Sequence, residues 1–214
     1  MEELKIELKW IVLAGVGIVA GIIFFMSWQD VDPGEEGFIY RPYGEGVTTD
    51  VAYNEGTQFI APWNEMITYN VLVQSRSYES QVMDKNGTDI GVVIAVNYHA
   101  IKGQTAFLHL KHGNGYAESF IDKKAKGAIK DVIGRYTYVE AYSTKREILE
   151  QEIETILNED FEENHIALDF VEIADINLPQ NIAIEITNKE TQKQRNQTAK
   201  EMQKVIEAEK RAGK

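Results

Sequence analysis

A chain of 214 residues with 34 acidic side chains against 22 basic ones, net charge −12, repels phosphate backbones and anionic headgroups, so nucleic acid is a poor partner. It has no cysteine, which excludes disulfides, thiol nucleophiles and thiolate metal centres. Less one apolar run, the length leaves about 185 residues, enough for one domain and an appended element.

In chain order, a tail over 1–9 precedes Trp10–Gln29, the one stretch of twenty uncharged, mostly apolar residues. A bilayer core about 30 Å thick needs about 20 helical residues at about 1.5 Å each, so 10–29 is expected to be a transmembrane anchor that crosses once. Trp10 and Trp28 bracket it where indoles favour the headgroup layers. No small-residue cleavage pattern follows, so the run reads as uncleaved. Lys5 and Lys9 lie before it and Arg41 is the first basic residue after it. The basic bias keeps the N-terminus in the cytoplasm, or in a mitochondrial matrix, and places the rest across the membrane, in a periplasm or intermembrane space. Gly17 and Gly21 form a Gly-xxx-Gly step that would let two anchors pack closely, although glycine is common in membrane helices anyway.

From Glu36 to Ile101 the pattern predicts strands at Gly37–Tyr40, Val47–Ala52, Gln58–Ile60, Met66–Val73, Arg76–Met83 and Thr88–Ile101. The last two flank Asp84-Lys85-Asn86-Gly87, a hairpin turn signal. Ile90, Val92, Ile94, Val96 and Tyr98 share one face of the second arm and read as core. Helical spacing follows from Tyr116 to Tyr136. Thr144 to Glu147 reads as a capping box opening a second helix, with Leu149, Ile153, Ile156, Leu157 and Phe161 as its stripe, ending near Asn164. A strand over Ile166–Leu178 places Ile166, Leu168, Phe170, Ala174, Ile176 and Leu178 on one face, interrupted by Glu172. The expected fold is α+β, a mainly antiparallel sheet with packed helices over 30–179, then a charged helix over 180–214. In that last helix Ala199, Met202, Val205 and Ile206 mark a short coiled-coil seam of about two heptads.

Catalytic signals are absent. No nucleophile elbow, phosphate-binding loop or His-Glu-x-x-His pair occurs, and Gly15-Val-Gly17 lies inside the apolar run. His109 and His112 could share a helical face, but no nearby acid completes a metal set, so they read as surface residues. Glu162, Glu163 and His165 sit at a helix end, where polar residues are ordinary. No cofactor is expected.

Two blocks carry a resemblance: Val31-Asp32-Pro33-Gly34-Glu35-Glu36-Gly37 directly after the anchor, and Asn54-Glu55-Gly56-Thr57-Gln58-Phe59-Ile60-Ala61-Pro62-Trp63 downstream. Together with Gln74-Ser75-Arg76-Ser77, the hairpin and the Arg146-Glu147 helix start, they follow an ordered pattern over roughly residues 10 to 200. The chain resembles the prohibitin branch of the band 7 or SPFH family, which includes stomatin, flotillin, HflK and HflC. The motif residues are Val31, Asp32, Gly34, Glu55, Gly56, Thr57, Phe59, Pro62 and Trp63. Their physical reading is structural: Gly56 for a turn, Phe59 and Ile60 as core anchors, Pro62 as a strand stop, Trp63 packed beside the membrane-facing end. The long coiled coil and closing tail usual in prohibitins are missing, which puts a complete dome in doubt more than a ring.

The resemblance implies a non-enzymatic, single-pass scaffold that self-associates into rings, organises membrane lipids and restrains an FtsH-type AAA protease. Two readings stand beside it: a monomeric anchored adaptor or tether, and an anchored hydrolase using scattered carboxylates.

Overall fold

A computed structural model describes residues 2–177, 184, 187–188 and 191–203, with side chains described for all of these except 2–8, 11, 143 and 144. The apolar run folds as helix α1 (Glu2–Met26), which absorbs the expected tail, and the chain then turns into strand β1 (Trp28–Val31). Trp28 and Gln29 therefore belong to a strand, not to the helix. Among the described residues no helix is long and apolar enough to cross a membrane.

Three antiparallel sheets follow. Strand β1 pairs with β4 (Gly56–Phe59) as a two-stranded ribbon. Strand β2 (Glu35–Arg41) lies between β3 (Gly46–Val47) and β5 (Glu65–Asn70). The third sheet has the order β6-β7-β8, from Gln74–Met83, Asp89–Ala100 and Ile166–Asn177. The expected strand Val47–Ala52 pairs only at its start, because Thr48 still donates to Ile39 while the next ladder contact is Tyr53 with Gly37.

The β6–β7 turn follows the sequence signal and adds an Asx latch. Asp84 Oδ1 accepts the amides of Asn86 and Thr88, its Oδ2 accepts that of Tyr138, and Gly87 takes φ 79°. Ile90, Val92, Ile94, Val96 and Tyr98 are all buried, as their alternation predicts. Helices α3 (Asp122–Ile133) and α4 (Arg146–Glu162) press Ala125, Ile129, Ile133, Leu149, Ile153 and Phe161 onto that face. The predicted single helix from Tyr116 instead starts as a π turn, Ala117–Ile121, whose extra residue lets both Tyr116 and Ile121 point inward.

Strand β8 departs from its predicted face. Bulges at the Val93/Ile94 and Asn97/Tyr98 positions of β7 each shift the register by one residue. Ile166, Val171, Ile173 and Ile176 are buried in consequence, while Phe170 and Ala174 face solvent beside Glu172. The predicted cap of α4 is also replaced. Lys145 occupies the cap position without a side-chain bond. The reciprocal pair forms seven residues earlier, where the Thr137 amide and hydroxyl both donate to Glu140 Oε2 at 3.0 Å and the Glu140 amide returns to Thr137 Oγ1. A short helix missed in the sequence, α2 (Thr105–His112), fills the junction between the second and third sheets.

That junction is closed by Glu36. Only 3% exposed on β2, it accepts the Gly103 amide with both oxygens, at 3.0 and 2.8 Å, and the Thr105 hydroxyl at 2.7 Å. Around it Phe38 and Tyr69 meet the ring of His109, and Tyr69 Oη lies 2.9 Å from His109 Nδ1. Burial, with Tyr116 alongside, pushes the Tyr69 hydroxyl up to about 12. Replacing Glu36 by Ala strips partners from the Gly103 amide and the buried Thr105 hydroxyl, a loss of about 2 kcal/mol. Thermal or urea unfolding is expected to show it.

Acid unfolding gives a second test. The Lys145 ammonium, then the Thr137 amide and hydroxyl, hold Glu140 down at about 2. A depressed folded value means that the contribution is present above the ordinary carboxyl range and lost as pH falls toward 2. Between pH 5 and 2 the melting temperature of Glu140→Gln is expected to fall less steeply than that of the parent. Because Glu140 is solvent-facing, 1 M salt narrows the gap.

Candidate functional site

At the end of α1 the chain is stitched to the domain residue by residue. The Ser27 amide and hydroxyl return to the carbonyl of Ile23, and the Ser27 carbonyl accepts the amide of Ile60. The β1–β4 ladder then places Trp28 opposite Phe59. The Phe59 ring lies 5.6 Å from that of Trp28 and 5.6 Å from that of Phe24, so helix and ribbon share one aromatic cluster. This cluster is not in the core: Phe59 is 58% exposed and Trp28 45%, and Phe25 stands beside them. Ile60 alone of the expected anchor pair is buried. Trp63 sits with Pro62 in the turn before β5, closed by the Asn64 amide on the Ala61 carbonyl, and is 61% exposed instead of packed.

Polar bonds hold the ribbon behind those rings. Asp30 Oδ1 accepts the Trp28 indole at 3.0 Å and the Thr57 hydroxyl at 2.7 Å. Glu55 Oε2 accepts the Gly34 amide at 3.0 Å, Asp32 closes its own turn by accepting the amide of Glu35, and Val31 is buried below. Gly56 has φ 112°, a conformation a side chain would strain. Gly34 has φ 82°, and a β-carbon there would lie 2.6 Å from Leu72. Val31, Asp32, Gly34, Glu55, Gly56, Thr57 and Phe59 thus converge on the β1–β4 ribbon, and Pro62 and Trp63 occupy the turn that follows it.

This end carries an exposed indole and phenyl rings outside, with a carboxylate and a hydroxyl behind them. Among the described residues no three His, Asp or Glu side chains gather as metal ligands.

Residues 29–212 match the family described as SPFH domain / Band 7. The chain belongs to that family. Within it the likeness is to prohibitins. It is 26% identical over 189 residues to Prohibitin-2 of Dictyostelium discoideum, covering 88% of this chain and 62% of that protein. It is also 26% identical over 207 residues to mitochondrial Prohibitin-6 of Arabidopsis thaliana, covering 92% of this chain and 71% of that protein. The chain thus spans about three fifths of the Dictyostelium relative's length.

In this SPFH domain the Arg76 strand is tied to the helical layer: Arg76 reaches Glu118 at 2.6 Å and Asp122 at 2.8 Å, and the Tyr78 hydroxyl also donates to Asp122. Glu118 is held below its usual range by Arg76. His109 and His112 are half-buried structural groups, a correction to the surface reading. His112 Nε2 lies 2.8 Å from Asn164 Oδ1 and its ring stacks on Phe120. His165, at φ 63°, meets Gln104 and is pushed down by burial and by Lys111. Trp10, Gly17 and Gly21 stand on α1 with open space at both glycines. Ala199 and Met202 are exposed on the helical segment 191–203, whereas Val205 and Ile206 lie outside the described residues. The sequence reading missed Asp30 as the aromatic latch and Glu36 as the junction. For Asp30 the available signal was its position two residues after Trp28.

Single-tryptophan variants test the placement. With Trp28 as the sole indole, lipids brominated near the headgroup are expected to quench more than lipids brominated near the chain ends. The reverse ranking would remove the ribbon from the interface.

Proposed function

We propose that this SPFH protein is a non-enzymatic, single-pass membrane scaffold that assembles laterally into rings. The observation that carries the membrane part is the shared cluster of Phe24, Trp28 and Phe59, which continues an apolar helix without a flexible break. Twenty uncharged residues over 10–29 and a helix of 25 residues, about 37 Å long, support an anchor through 10–26 with Trp28 at its outer boundary. The lysine bias supports an N-terminus in the cytoplasm or matrix and a domain in the periplasm or intermembrane space.

Ring formation is supported by the prohibitin likeness and by multivalent geometry. An anchor confines each copy to a plane, raises its effective concentration for neighbours and lets weak contacts add. Ala199, Met202, Val205 and Ile206 are the proposed helix contacts, with Gly17 and Gly21 as close-approach points between anchors. Such a ring would enclose a lipid patch and restrain a membrane-bound AAA protease of the FtsH type. No cofactor enters this mechanism.

Sizing in mild detergent decides between the ring and a monomeric tether: a particle of many subunits supports the scaffold, whereas a single chain with its detergent belt overturns it. Replacing Met202 and Ile206 by Asp is expected to shift the large particle toward small species while the melting temperature of the domain stays unchanged.

A further inference from the structure

The two edges of the β6-β7-β8 sheet are treated differently. Along β8, side chains of α4 occupy the outward backbone: Glu154 accepts the amide of Val171, Glu150 accepts that of Ile173, and Arg146 donates to the Ile173 carbonyl. That edge is sealed. Along β6, no hydrogen bond outside its ladder with β7 reaches the backbone of Gln74–Met83 among the described residues. Ten residues of strand edge are left open, a template for another strand. Beside it runs a groove lined by Ser75, Ser77, Glu79, Asp122 and Lys126. Asp122 is engaged by Arg76 and Tyr78, whereas Lys126 is exposed and has no ion pair among the described residues.

A complementary segment lies elsewhere in the same chain. Three β2 residues, Gly37 to Ile39, face six residues from Thr48 to Tyr53, so Thr49 to Ala52 must loop outward. Asp50 and Val51 are exposed there, and neither has a hydrogen-bond or ion-pair partner among the described residues. The run Val47-Thr48-Thr49-Asp50-Val51 has the β-branched composition of a strand.

We propose that this loop of one copy docks along β6 of a neighbouring copy, its backbone pairing with the open edge near Ser77 and Asp50 meeting Lys126. Complementary backbone selects the occupant: Thr49 to Ala52 make no backbone hydrogen bond among the described residues and carry β-branched side chains, the β6 edge is likewise unpaired, and Asp50 and Lys126 are exposed opposite charges without ion pairs among the described residues. Because loop and groove are different surfaces, the contact is head-to-tail and can propagate around a ring. The inference rests on the assembly reading above and names its interface.

The absence of cysteine makes the test clean. The 214-residue chain carrying Asp50→Cys and Lys126→Cys, oxidised in the membrane, is expected to give a ladder of disulfide-linked multimers on non-reducing gels, while each single variant gives none. Lys126→Glu is expected to weaken self-association about tenfold, and adding Asp50→Lys is expected to restore it. All the substituted side chains are exposed, and unchanged melting temperatures confirm folding. If the parent chain forms a large particle but the double variant gives no ladder, the ring stands and this interface is wrong. Cross-linking by Ser77→Cys alone would show β6 pairing with β6 and overturn it as well. A parent chain that sizes as a monomer removes both readings.

Discussion

The contact on which the domain depends is the grip of Glu36 on the start of α2. It joins two parts of the chain that local pairing would leave separate: the β3-β2-β5 sheet and the sheet that carries the helices. Its oxygens meet the Gly103 amide twice and the Thr105 hydroxyl once, at the positively polarised end of an eight-residue helix. With Glu36 so placed, Phe38 on the same strand enters the cluster that contains Tyr98, Ile94 and Leu108, and one core serves both sheets.

The same device recurs, and it changes the meaning of the acidic composition. Glu55 accepts the Gly34 amide, Asp84 accepts three amides, Glu140 accepts that of Thr137, and Glu150 and Glu154 accept those of the β8 edge. Each carboxylate solvates a backbone group that no ladder or helix satisfies, at turns, helix starts and one sheet edge. A substantial part of the negative charge is therefore structural.

Where local pattern and long-range packing agree, the sequence was readable. The alternation of Ile90 to Tyr98 and the α4 stripe of Leu149, Ile153, Leu157 and Phe161 each match burial, because one periodicity governs the whole element. The two bulges in the β7–β8 pairing were not legible, since a bulge moves residues between faces without any change in hydrophobicity, and Phe170 went to solvent. Nor was the Thr137–Glu140 cap distinguished from the equally good pattern at Thr144; the π turn between them decides which one opens a helix. At the candidate site Phe59, expected as a core anchor, is instead exposed and packed against Phe24 of the preceding helix. Nothing local separates an aromatic that enters a core from one that meets the aromatics of a preceding helix.

That change of role has a mechanical consequence. Had Phe59 been a core anchor, the helix and the domain would be joined only by the chain itself at Ser27. Instead, Phe24 on α1 packs against Phe59 on β4, whose partner strand β1 holds Trp28 and Val31, and Val31 approaches Gly37 beneath β2. From β2 the Glu36 grip continues into α2 and the shared core. Ring packing, one apolar contact and a bonded carboxylate thus form an unbroken series from α1 to the shared core. On the scaffold reading, the angle between anchor and domain then fixes the angle between neighbouring copies, and through it the number of copies that close a ring.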